Sequence, residues 1–85
     1  MKEFSYVITD PEGIHARPAG ILVKEAAGFT SSVKIAGNGK EADAKRLLAL
    51  MSLGIKKDME VTFTIEGDDE ETAATALETF MKENL

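Results

Sequence analysis

The sequence predicts a two-layer α+β domain in the order βαββαβα, and three features carry that prediction. Residues 58–66 alternate between apolar and polar side chains, the period of a strand with one buried and one solvated face. Residues 16–29 and the last part of the chain repeat their apolar residues at three- and four-residue intervals, the period of an amphipathic helix. The chain has 85 residues, with no repeat, linker or low-complexity segment, so residues 1–85 are expected to form a single domain around one small core. Helices on one face of a mainly antiparallel sheet satisfy all three.

The elements follow in order. Phe4 to Thr9 alternates and is rich in β-formers, which places Phe4, Tyr6 and Ile8 on one face of a first strand. Asp10-Pro11-Glu12-Gly13 is a turn or loop. A helix starts at Ala16, carries Ala19, Leu22, Val23, Ala26 and Phe29 on its buried stripe, and ends near Gly28. Ser32 to Ala36 is a second strand with Val33 and Ile35 inward, and Gly37-Asn38-Gly39 is the hairpin turn after it. Lys40 to Asp43 is a short edge strand whose charges discourage pairing with another chain.

A short helix is expected from Lys45 to Leu53, stopped by Gly54, with Met51 in the core. Its Leu47 and Leu48 are either core or docking residues, because a helix apolar all round exposes one or two of its side chains. Met59, Val61, Phe63 and Ile65 form the inner face of the next strand. Asp68 and Glu71 have capping-box spacing before a last helix that buries Ala73, Ala74, Leu77, Phe80 and Met81.

Composition excludes several functions. There is no cysteine and one histidine, so no disulfide, thiol chemistry or structural zinc is expected, and no metal or cofactor. The net charge of −5 argues against nucleic acid, and the aromatic content of 6% against an RNA-stacking sheet. No apolar run approaches the ~20 residues of a membrane span, and Met1 to Tyr6 has no secretory apolar stretch, so a cytoplasmic protein is expected. The charge is uneven: residues 15–57 carry +5 and the remainder −10. A basic middle suits an anionic ligand or an acidic partner.

The chemistry concentrates at Gly13-Ile14-His15-Ala16-Arg17-Pro18-Ala19. His15 stands where a loop becomes a helix. Helix N-termini present unpaired N–H groups and a partial positive charge, which suits a phosphate. Arg17 adds a guanidinium for phosphate oxygens. Pro18 has no N–H to leave idle and fixes the geometry of the first turn. Imidazole is a competent nucleophile near neutral pH. His15 and Arg17 are therefore the candidate catalytic pair, and Ala16, Arg17 and Pro18 the candidate phosphate-binding turn. Ile21, off the core stripe of its helix, is a candidate docking residue; Lys24, Lys45 and Arg46 are candidates for steering acidic partners.

The segment from Gly13 to Ala19 resembles the active-site motif of the HPr family, the histidine-containing phosphocarriers of the bacterial phosphoenolpyruvate:sugar phosphotransferase system. Leu50-Met51-Ser52-Leu53-Gly54 resembles the family's second signature, and the resemblance spans essentially the whole chain. It implies an open-faced sandwich, with three helices on one side of a four-stranded antiparallel sheet. It also implies that Enzyme I passes a phosphoryl group to Nδ1 of His15, and that phospho-His15 donates it to IIA domains of sugar permeases. The protein would then be a monomeric relay rather than a free-standing enzyme. The resemblance gives Leu47 and Leu48 a docking role. Where many family members carry a regulatory serine, this chain has Arg46, so the corresponding kinase switch is expected to be absent. A regulatory paralogue, or a carrier for a non-sugar branch of the system, is the alternative; His15 and Arg17 favour the competent carrier.

Overall fold

A computed structural model describes residues 1–85. The elements are β1 (Lys2–Val7), α1 (Ala16–Ala27), β2 (Ser32–Gly37), β3 (Lys40–Asp43), α2 (Leu47–Met51), β4 (Glu60–Glu66) and α3 (Glu70–Asn84). The four strands form one antiparallel sheet in the order β1-β4-β2-β3. The three helices cover one face, giving the expected open-faced α+β sandwich.

The alternation of β4 explains its central place. Val61, Phe63 and Ile65 are fully buried, while the intervening Thr62 and Thr64 face the open side. Phe63 pairs across the strands with Phe4, and their rings stack at 4.8 Å. On the open side the Ser5 and Thr62 hydroxyls share a hydrogen bond of 2.9 Å. From the other layer, Leu22 and Ala26 of α1, Leu50 of α2, and Leu77 and Met81 of α3 meet Val33, Ile35 and the β4 residues in one continuous core. The β2–β3 hairpin turns on Asn38 and Gly39, with φ of +54° and +75°, the left-handed pair that a two-residue hairpin needs.

Three expectations need correction. The helix expected over 45–53 occupies only Leu47–Met51. The Asp43 side chain accepts the Lys45 N–H at 2.9 Å and its carbonyl the Arg46 N–H at 3.0 Å, so residues 43–46 form a turn that delays the helix. Met51, assigned to the core, is 38% exposed; Leu50 and Leu53 fill the interior instead. The capping box is not formed. Asp69, not Asp68, is the N-cap residue of α3, and its carboxylate does not cap the helix. It accepts the Thr30 N–H at 2.9 Å, the Ser31 N–H at 3.0 Å and the hydroxyl of buried Ser31. Glu70 reaches back instead to the Gly67 N–H at 3.2 Å.

The Asp69 clasp joins the start of α3 to the loop between α1 and β2. Its pKa is lowered from 3.8 to about 2, first by the Ser31 hydroxyl and then by the Thr30 N–H. Because the folded pKa lies below the unfolded one, the charged carboxylate stabilises the fold above pH ~4, and that contribution is lost as the pH falls toward 2. In urea unfolding at a series of pH values, Asp69→Ala is expected to be less stable at pH 7. Its deficit relative to the unsubstituted protein should narrow between pH ~4 and ~2. A constant deficit across that window would remove the carboxylate's charge from the explanation.

Candidate functional site

His15 is the N-cap residue of α1, with extended backbone (φ −105°, ψ 178°), and its carbonyl accepts the Ala19 N–H at 2.9 Å. Its side chain makes no capping hydrogen bond and is 35% exposed, so the ring is presented rather than consumed by the helix. The loop before it is firmly tied. The Gly13 N–H bonds to Asp10 O at 2.9 Å and the Ile14 N–H to Ile55 O at 3.1 Å, with the Ile14 side chain buried. At the start of the loop, the Thr9 and Asp10 N–H groups both donate to the Leu85 backbone oxygen, at 2.6 and 2.9 Å.

Both ring nitrogens face carboxylates. Nε2 lies 3.7 Å from Oδ2 of Asp10, and Nδ1 lies 3.4 Å from Oε2 of Glu12. These distances exceed ordinary hydrogen bonds, and the contacts become ion pairs when the ring is protonated. Sequence reasoning treated Asp10 and Glu12 only as turn residues. The available signal was two acids within five residues of the lone histidine, one of them at i−3.

The Ala16 and Arg17 N–H groups have no backbone partner, as expected for the first turn of a helix. Pro18 is buried and anchors that turn. Arg17 is exposed and unpaired with any carboxylate. His15, Arg17, Pro18 and Ile21 line one shallow depression with Asp10 and Asn84. It holds the His15 imidazole, a free guanidinium and half-exposed Ile21, and the free N–H groups belong to the same first turn.

The other candidates lie elsewhere. Arg46, Leu47 and Leu48 line a second depression, between α2 and the β2–β3 hairpin, with Lys34 and Asp43. Leu48 is 83% exposed, which resolves its open reading in favour of a surface residue; Leu47 is half-exposed. Lys24 is exposed in the last turn of α1 and lines neither depression. Lys45 is held: its ammonium donates to Phe29 O at 2.9 Å, tying the turn before α2 to the loop after α1. The Ser52 hydroxyl donates to Ala49 O at 2.6 Å, a local side-chain to backbone bond.

A family model described as the phosphorylation site of the HPr component of the phosphotransferase system matches residues 2–83. The chain belongs to the HPr family. That family comprises the phosphocarriers of the phosphotransferase system. The chain is 46% identical to the phosphocarrier protein HPr of Mycoplasma genitalium, over 99% of its own length and 97% of that protein's. Among solved structures, a mycoplasma histidine-containing phosphocarrier protein superposes with a TM-score of 0.93 at 38% identity, covering 96% of this chain and 93% of that one. Crh, a catabolite-repression protein of Bacillus subtilis crystallised as a domain-swapped dimer, superposes with a TM-score of 0.77 at 35% identity, covering 100% and 98%. The HPr family thus accounts for the open-faced sandwich and for both signature segments.

Proposed function

We propose that this chain carries a phosphoryl group on Nδ1 of His15, accepts it from phospho-Enzyme I and donates it to the IIA domains of sugar permeases. The supporting observation is the exposed imidazole of His15 at the start of a 12-residue helix, with unpaired Arg17 in the same depression. The lone pair of Nδ1 attacks phosphorus while the donor's bond to phosphorus breaks and the donor keeps its electron pair. Arg17 and the free N–H groups of Ala16 and Arg17 stabilise charge on the phosphoryl oxygens, and they stand in place beforehand. Asp10 faces Nε2, the nitrogen that keeps its proton when the phosphoryl group sits on Nδ1. A phosphorus–nitrogen bond to imidazole is labile, which suits a relay. No helix is long and apolar enough to cross a membrane, and we place the carrier in the cytoplasm as a monomer.

Incubation with Enzyme I and phosphoenolpyruvate is expected to add one acid-labile phosphoryl group, which an added IIA domain removes. Phosphate on a serine or threonine would overturn the assignment.

Partner docking is assigned to Ile21, Lys24, Arg46, Leu47 and Leu48. Leu48→Glu is expected to weaken Enzyme I binding by roughly 1–3 kcal/mol with little change in melting temperature, since the side chain is already 83% exposed. Calorimetric titration and thermal unfolding separate the two effects, and a large drop in melting temperature would count against docking.

Arg46 offers no hydroxyl where relatives are phosphorylated, and it holds a fixed positive charge at the N-cap of α2. HPr kinase with labelled ATP is therefore expected to leave this protein unlabelled, beside a serine-containing carrier as positive control. Arg46→Ser should convert it to a substrate. Label on Ser52 of the unsubstituted protein would defeat this expectation.

A further inference from the structure

The imidazole of His15 has a carboxylate beside each ring nitrogen, and the two carboxylates are held differently. Asp10 is oriented from several directions: its backbone N–H bonds to Leu85 O at 2.9 Å, and its Oδ1 accepts the Glu12 N–H at 2.8 Å. Its other oxygen is thereby aimed at Nε2, 3.7 Å away. The Glu12 side chain is 72% exposed, and its contact is with the ring itself, 3.4 Å from Nδ1. We propose that Glu12 sets how readily a phosphoryl group leaves His15: its carboxylate shares the Nδ1 side of the ring with the phosphoryl group and destabilises the phosphorylated state relative to the free one. This inference rests on the reading of His15 as the phosphoryl acceptor.

The physical reasoning is electrostatic. A phosphoryl group on Nδ1 brings about two negative charges into the space that Oε2 of Glu12 now borders. Glu12 rotates outward when the group arrives, as its exposure permits, and loses its contact with the ring. It cannot go far. The Glu12 N–H is bonded to Asp10, and the next residue, Gly13, lies against the backbone of Ile55 and Lys56. The carboxylate therefore stays within a side chain's length of the phosphoryl oxygens and repels them through solvent. Asp10 acts in the opposite sense. It faces Nε2, whose proton remains when the phosphoryl group sits on Nδ1, so its attraction survives phosphorylation. Arg17 also favours the phosphorylated state. Glu12 is the carboxylate on the Nδ1 side of the ring, where its charge opposes the group most directly, a useful property in a relay that must give up what it receives.

Glu12→Gln keeps the size and removes the charge. The unsubstituted protein is charged with phosphoramidate; its phosphorus–nitrogen bond breaks and ammonia leaves as the Nδ1–phosphorus bond forms. Phosphorylated unsubstituted protein is then mixed with unphosphorylated Glu12→Gln and a trace of Enzyme I to exchange the group, and the four species are separated by charge. At low salt the phosphoryl group is expected to favour Glu12→Gln by roughly three- to tenfold. The preference should fall below about twofold in 1 M salt, where the Debye length is ~3 Å. An even distribution at low salt overturns the inference and leaves the phosphocarrier reading intact. A preference unchanged in 1 M salt also overturns it, because packing rather than charge would then be responsible. Failure of the unsubstituted protein to gain an acid-labile phosphoryl group overturns the phosphocarrier reading, and this inference with it.

Discussion

His15→Ala is expected to give a folded chain that accepts no phosphoryl group from Enzyme I. The loss should be complete within detection, because this is the only imidazole in the chain and there is no cysteine. The fold should be nearly unaffected. The side chain makes no capping hydrogen bond, and the helix uses only the His15 carbonyl, which alanine retains. The ring's contacts with Asp10 and Glu12, at 3.7 and 3.4 Å, are longer than hydrogen bonds and partly open to solvent, so their deletion costs about 0–1 kcal/mol. Intact-mass analysis after incubation with Enzyme I and phosphoenolpyruvate reads the first expectation, and urea unfolding reads the second. A phosphoryl group persisting on His15→Ala would move the acceptor elsewhere. Loss of the fold would mean that the ring does structural work that these contacts do not reveal.

The fold was legible where local pattern and burial coincide. β4 has period two because one face is covered by helices and the other is open, so Met59 to Glu66 announced both the strand and the layer order. Boundaries set by distant partners were less legible. β1 starts at Lys2 because its register with β4 runs from Lys2 opposite Ile65 to Val7 opposite Glu60, and pairing of this range leaves no mark in residues 1–4 alone. Local spacing pointed to Asp68 and Glu71 as a helix cap, whereas the carboxylate with a structural task is that of Asp69. Its actual partners, Thr30 and Ser31, lie 39 and 38 positions away in sequence. Met51 failed for a related reason: in a helix apolar all round, periodicity identifies no inner face, and Leu50 and Leu53 took the interior.

The candidate site divides in the same way. His15, Arg17 and Pro18 were legible because a helix start is a local event and the chemistry follows from residue type. The carboxylates beside the ring were not, because their placement depends on how loop 10–14 is tied to Ile55 and Leu85. Ile21, Leu47 and Leu48, the apolar docking candidates, are exposed in the fold. Their division between two depressions, Ile21 in one and Leu47 with Leu48 in the other, depends on how the helices are set on the sheet.

The tie between loop and core gives the second large effect, at Gly13. Its φ is +69°, and a Cβ built there would clash with Ile55 O and stand 2.6 Å from Lys56 Cα. Both neighbours are backbone, so no side-chain rotation relieves the clash. Gly13→Ala must open the bond from the Ile14 N–H to Ile55 O and lift Ile14 partly out of the core. The left-handed conformation costs about 1–2 kcal/mol, and the lost hydrogen bond and burial bring the expected destabilisation to roughly 2–4 kcal/mol. The displaced loop carries His15 with it, and misplacing reacting groups by ~1 Å can cost up to ~100-fold in rate. Phosphoryl uptake from Enzyme I should therefore fall at least ~10-fold at temperatures where the variant remains folded. Gly39→Ala is the matched control: its φ is +75°, but a Cβ there meets nothing within 4 Å. It should lose only the conformational part, about 1–2 kcal/mol, and transfer at an unchanged rate. Equal losses of stability and rate in the two variants would show that the close approach of loop and core at Gly13 does not hold the histidine in place.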